Sequence, residues 1–165
     1  MQTIVGKRPV AQVASEFLSL KRIAVTGVSK KKPGAHGSNA VYERLRARGY
    51  DVFAVNPNAD SIDGAPSYPN LTSIPGGVDA VVIGTRPDRA QATMRECVDL
   101  GIKYAWMHRS VDAGSVSPAA VDFGRAHGIT VIPGGCPLMF EPASDGAHKV
   151  MKFVFTLTGA VPREA

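Results

Sequence analysis

The chain has 165 residues, of which 44% are hydrophobic and 20% charged, with a formal net charge of +5. That length suits one α/β domain with a full core, and no stretch approaches the ~18 consecutive apolar residues of a membrane span. A pI near 9.4 raises nucleic acid as a partner, yet basic residues are spread along the chain and only Lys30–Lys32 form a run. No aromatic residue is interleaved with that run to stack a base, so a small anionic ligand accounts for it better than nucleic acid. The amino terminus, MQTIVGKRPVAQ, lacks the apolar core of a signal peptide. Cys97 and Cys136 have neither metal-like spacing nor a disulfide framework. The expectation is a cytoplasmic protein with no membrane partner.

Val10–Leu20 places Val10, Val13, Phe17 and Leu18 near one helical face, and a first strand follows over Ile23–Gly27. Ser38–Arg48 reads as a helix stopped by Gly49. Asp51–Val55 is a second strand, halted by Asn56-Pro57-Asn58. Asp60–Gly77, rich in Pro, Gly, Ser and Asn, reads as an irregular connection. Ala80–Gly84 is a near-continuous apolar run, as in a parallel strand buried on both faces. Pro87–Leu100 is helical and stops at Gly101, Lys103–Met107 is a fourth strand, and Pro118–His127 is a helix capped by Ser117. Thr130–Ile132 is a fifth strand. A last helix spans about Asp145–Leu157, with Val150, Met151, Val154 and Leu157 on one stripe. Strands alternating with helices imply right-handed βαβ units. The fold class is therefore α/β, a single doubly wound domain with a mostly parallel sheet of about five strands.

The turn after the first strand carries the chemistry. Arg22–Ser38 reads RIAVTGVSKKKPGAHGS: an apolar strand, then Gly27, three lysines, Gly34 and Gly37, then a helix start at Ser38-Asn39. Glycines let the backbone approach a phosphate, and the free N–H groups of a helix N-terminus stabilise its charge. The stretch is not a P-loop, since Lys32 is followed by Pro33, and the dinucleotide fingerprint G-x-G-x-x-G is absent. NAD-binding chains usually place an acid at the end of the second strand, where Asn56-Pro57-Asn58 stands here.

Taken in order, Val25-Thr26-Gly27-Val28-Ser29 with its glycine-containing loop, Val55-Asn56-Pro57, Val78–Ile83 before a Pro-started helix, Lys103–Met107 and Gly135-Cys136-Pro137 resemble the CoA-binding domain family. That family includes small stand-alone bacterial proteins and the N-terminal domain of the succinyl-CoA synthetase α subunit. The resemblance covers about Ser15–Phe140. It implies a Rossmann-like domain that binds coenzyme A or an acyl-CoA. Gly27, Val28, Ser29, Lys30, Lys31, Gly37 and Ser38 would hold phosphates, and Asn56, Pro57 and Asn58 would lie by the adenosine 3′-phosphate. Thr85, Arg86 and Pro87 would line the nucleotide cleft, while Met107–Arg109 and Cys136-Pro137 would lie toward the pantetheine arm. Many relatives have a lysine where this chain has Asn58, so Lys30–Lys32 or Arg86 are the cations left to compensate.

The residues suggest binding rather than catalysis. The ligase relatives react through a phosphohistidine in a second domain, and no pattern here pairs any of the four histidines with a nucleophile. His36 and His108 stand at expected strand carboxyl ends, whereas His127 complements a helix C-terminus. Cys136 is either a thiol beside the sulfur of bound CoA or a small buried hydrophobe at a tight turn; Cys97 lies on a helical stripe and reads as core. Asp79 precedes a strand on its amino side, and Asp88 sits in a first helical turn. The leading expectation is a non-catalytic CoA-binding module. The alternatives are an NAD(P)-linked oxidoreductase or redox sensor, and an interaction subunit of a separately encoded acyl-CoA ligase-like partner. A homo-oligomer is a further possibility.

Overall fold

A computed structural model describes residues 7–30, 37–109, 114–144, 146–159 and 161–165. The chain runs α1 (Val10–Ser19), β1 (Arg22–Thr26), α2 (Ser38–Ala47), β2 (Asp51–Val55), β3 (Ser61–Ile62), β4 (Ala65–Tyr68) and β5 (Ala80–Ile83). It continues with α3 (Pro87–Asp99), β6 (Tyr104–Met107), α4 (Pro118–Ala126), β7 (Thr130–Pro133), a short 3-10 turn (Pro137–Met139) and α5 (Gly146–Thr158). The strands form one sheet in the order β3-β4-β2-β1-β5-β6-β7. Every pairing is parallel except the β3–β4 hairpin.

That hairpin corrects the expected strand count, since it lies inside Asp60–Gly77. Asp63 and Gly64 both take positive φ, 50° and 75°, which is the geometry of a tight two-residue turn matched to strand twist. Its second strand joins the main sheet beside β2, pairing Ser67 with Ala54 and Tyr68 with Val55.

Period-two alternation distributes the sheet between two cores. Ile23, Val25, Ala80, Val82, Trp106 and Ile132 face one side, where α1 and α2 supply Val13, Phe17, Leu18, Val41, Tyr42 and Leu45. Ala24, Val81, Ile83, Ala105, Met107 and Val131 face the other, under Ala90, Met94 and Cys97 of α3 and Ala120 and Val121 of α4. Strands covered on both faces must read as unbroken apolar runs, as β5 does. Trp106 anchors the first core: its ring meets Phe17 at 5.3 Å and Phe140 at 5.4 Å, both edge-on. Its indole N–H donates to Gly134 O at 2.8 Å, so the polar edge of a fully buried ring is satisfied.

Local signals behave as their chemistry requires. Ser117 Oγ accepts from Ala120 N at 3.3 Å with Pro118 opening the helix, and His127 is the C-cap of α4. Asp79, at the amino end of the sheet, accepts from Arg22 N at 3.2 Å. Past α5 the chain returns to the core. Val161 and Ala165 are buried, and the tail pairs with the segment before α1 through Val10 N to Arg163 O (3.0 Å) and Arg8 N to Ala165 O (3.1 Å).

Candidate functional site

The chain crosses from β4 on one side of β1 to β5 on the other, so the topological switch lies between β1 and β5. In an open parallel sheet that is where the carboxyl-end loops part and a ligand can enter. Here the two loops touch through glycines. Gly27 has φ +79°, and a β-carbon on it would stand 2.5 Å from Gly84 O; a β-carbon on Gly84 would overlap Ser38 Oγ, at the first turn of α2. Thr26 Oγ1 accepts from Gly84 N at 3.0 Å and fixes the same junction.

Two asparagines hold the turn. Asn39 makes a reciprocal pair with the Ser29 backbone, accepting from its N–H at 3.0 Å and donating to its carbonyl at 2.7 Å. Asn56 Nδ2 donates to Val28 O at 2.8 Å, and Asn56 Oδ1 accepts from Asn58 N at 2.8 Å. Both bonds matter electrostatically. The carbonyls of Val28 and Ser29, which would repel an anion, are each tied to an amide. Among the described residues, the N-terminus of α2 has Gly37 as its cap, no side-chain cap bond and no acid in its first turn, so its positive dipole end suits an anion.

The third wall comes from β5 and β6. Thr85 Oγ1 is buried without a hydrogen-bond partner among the described residues. An unpaired buried hydroxyl costs about 1–3 kcal/mol, and a phosphate or hydroxyl oxygen of a nucleotide in this crevice would satisfy it. His108 is buried at the end of β6, its N–H donating to Ile83 O at 2.9 Å. Its ring approaches Gly37: Cε1 lies 3.9 Å from where a β-carbon there would stand. Ser115 braces this wall: its Oγ–H lies within hydrogen-bond reach of both Ile83 O and His108 O, and its backbone N–H donates to His108 O at 2.9 Å.

The residues singled out from sequence therefore divide. Gly27, Ser29, Gly37, Ser38 and Thr85 gather at the β1–β5 junction. Lys30, Pro57, Asn58 and Arg86 are exposed, and Arg86 reaches Asp88 at 3.3 Å across open solvent. Pro87 is the first residue of α3. Val28 is fully buried in the core beneath α1 and α2, so it meets the crevice through its backbone. Met107 and Cys136 pack into the two cores on opposite faces of the sheet. Lys31 and His36 lie outside the described residues, as does Asp145. Asn39, Gly84 and Ser115 were not singled out; their roles come from contacts between segments far apart in sequence.

Burial raises the Cys97 thiol to about 12, as its core position requires. Among the described residues no group of three His, Cys, Asp or Glu is arranged to hold a metal ion, and no helix is long and apolar enough to cross a membrane. The arrangement suits anion binding: an uncapped helix end, glycine-thin walls and carbonyls turned to amides.

The chain is similar to several known proteins. The chain is 37% identical over 87 residues to acetate–CoA ligase (ADP-forming) II of Archaeoglobus fulgidus, covering 52% of this chain and 13% of the ligase. It is 26% identical over 126 residues to ligase I of the same organism, covering 70% of this chain and 18% of that protein. The chain thus spans less than a fifth of these curated relatives. Among solved structures, a hypothetical protein from Pyrococcus horikoshii superposes with a TM-score of 0.71 at 25% identity, over 81% of this chain and 93% of that one. The dinucleotide-forming acetyl-coenzyme A synthetase 1 of Ca. Korarchaeum cryptofilum superposes with a TM-score of 0.55 at 25% identity, over 67% of this chain and 25% of that one. Residues 21–142 match the family described as CoA binding domain, a span that holds every wall of the crevice, and the chain belongs to that family.

Proposed function

We propose that this chain binds coenzyme A or an acyl-CoA at the β1–β5 crevice and does so as a carrier or sensor, without catalysing a reaction itself. The diphosphate lies against the turn from Gly27 to Ser38 and the N-terminus of α2. The adenosine end extends toward Asn56–Asn58 and Thr85–Pro87, and the pantetheine arm toward His108 and the Gly135-Cys136 turn. The observation that carries this reading is the Gly27–Gly84 contact. It thins both loop walls to backbone beside an uncapped helix end, and that is what close approach to a diphosphate requires.

Calorimetric titration with CoA, acetyl-CoA, NAD and NADP tests it. CoA or acetyl-CoA is expected to bind and the nicotinamide dinucleotides to be weaker by at least about tenfold. NADP binding without CoA binding would overturn the proposal in favour of an oxidoreductase or redox sensor. Asn56 argues against that outcome, because an amide committed to Val28 O stands where a ribose-binding acid is needed.

A second reading rests on the similarity to ligases many times longer than the matched segment. The chain would present CoA to a separately encoded ligase-like partner. Reconstituted acyl-CoA formation that requires both proteins would favour it.

A further inference from the structure

The last helix turns an apolar face outward. Val150, Phe153, Val154 and Leu157 of α5 are 66%, 69%, 46% and 70% exposed. Met151 and Phe155, on the other side of the helix, pack against the core beneath α1 and α2. The inward face is thus already used, and the four outward side chains form a second stripe. Among the described residues the only other large exposed hydrophobic is Leu100, so the apolar surface is concentrated here. Together the four amount to about 450 Å², in the range of patches that serve as interaction sites.

The lysines beside the stripe make contacts within the chain, which favours an uncharged apolar partner over a lipid headgroup or nucleic-acid surface. Lys149 Nζ is 2.6 Å from Glu141 Oε1, and Lys152 Nζ lies 4.1 Å over the Phe140 ring. Both lysines contact their own domain, and the four outward side chains themselves are apolar. Such a face is complementary to another uncharged apolar face. The spacing of the stripe (150, 153, 154, 157) reads the same in either direction. A two-fold axis between Phe153 and Val154 therefore seats Val150 on Leu157 and Phe153 on Val154 of a second antiparallel helix, as an isologous contact demands. Antiparallel packing also sets the helix dipoles head to tail. Two such faces with their polar rims bury about 1,000–1,200 Å², the lower end of what a specific interface needs.

We propose that two copies of this chain associate through α5, packed antiparallel across Phe153 and Val154. The Gly27–Gly84 junction of the crevice lies on the loops after β1 and β5, whereas the proposed contact is made by the outward face of α5.

Light scattering coupled to size exclusion tests the proposal on the 165-residue chain. The expected mass is about twice the 17.4 kDa of one chain, falling to one chain for Phe153→Glu and for Leu157→Glu. A single-chain mass for the parent protein throughout the micromolar range overturns the proposal, as does a dimer that survives both substitutions. Disulfide trapping checks the geometry without relying on those variants, since Cys97 and Cys136 are buried. Mixing Val150→Cys protein with Leu157→Cys protein under mild oxidation is expected to give a linked mixed dimer. Efficient linkage of Val150→Cys protein to itself overturns the antiparallel arrangement.

Discussion

A β-carbon at Gly27 would stand 2.5 Å from the carbonyl oxygen of Gly84, and 3.1 Å from Thr85 N. The first two loops of the site therefore touch backbone to backbone, and both constraints on Gly27 act together. Its φ of +79° disfavours any L side chain, and the space for one is taken. Gly27→Ala is expected to destabilise the fold by about 2–4 kcal/mol, read from the midpoint of urea unfolding. Wherever the variant remains folded, the wall is displaced and CoA affinity falls. Full affinity at native stability would mean that the two loops can part without consequence.

Asn39 offers a cleaner separation of turn geometry from fold. Its side chain touches the Ser29 backbone twice, and both contacts are lost in Asn39→Ala. An unpaired amide pair in a partly buried turn costs about 1–3 kcal/mol. The same loss frees the Ser29 carbonyl toward the anion site. Titration calorimetry is expected to show Kd for CoA raised by about tenfold or more. Asn39→Asp keeps the acceptor for Ser29 N, loses the donor and adds a negative charge at the helix start, so it is expected to bind CoA more weakly still.

On the proposed reading the lysines act on the ligand at longer range. Lys30 is exposed at the edge of the described turn, with Lys31 and Lys32 following in sequence. Exposed charges separated by several ångströms of solvent are screened over about 8–10 Å at ordinary ionic strength. Replacing all three by Ala is expected to weaken CoA binding at low salt and to flatten its dependence on added NaCl. The measurement is Kd at two or three salt concentrations. An unchanged slope would assign the phosphate attraction to the α2 N-terminus alone.

How much of this was legible beforehand depends on where the stabilising contacts come from. Five of the six strands in parallel pairing are readable because burial on both faces makes a strand such as Ala80–Ile83 apolar throughout. The β3–β4 hairpin is not, because a strand of two residues and one containing Pro66 carry no measurable alternation; Asp63-Gly64 was the single local signal of its turn. On α5 the sequence groups Val150, Met151, Val154 and Leu157, whereas the fold buries the Met151–Phe155 side. Apolar residues nearly surround that helix, so period alone cannot select the inward face. The phosphate-like turn was visible as glycines and lysines. Its fixation was not, since Asn39 to Ser29 and Gly84 to Thr26 join positions 10 and 58 residues apart.

Alkaline titration exposes the core itself. Burial pushes the Cys97 thiol up to about 12 from 9.0, and it raises the hydroxyls of Tyr42, Tyr50 and Tyr104 as well. In each case the folded state holds its proton more tightly than the unfolded chain. Above the unfolded pKa, the unfolded chain therefore binds fewer protons and stability declines with rising pH. The Cys97 contribution is fully present below about pH 9 and is lost progressively toward pH 12. Urea midpoints measured between pH 7 and pH 11 are expected to hold level at first and then fall. Cys97→Ala is expected to lower the midpoint at pH 7, through the small cavity it leaves, and to reduce the alkaline slope. In the folded parent protein the buried thiol is also expected to resist Ellman's reagent at pH 8, reacting only at the rate of unfolding. Rapid labelling of Cys97 under native conditions would show that α3 opens locally, and the alkaline slope would then have to be assigned to the tyrosines.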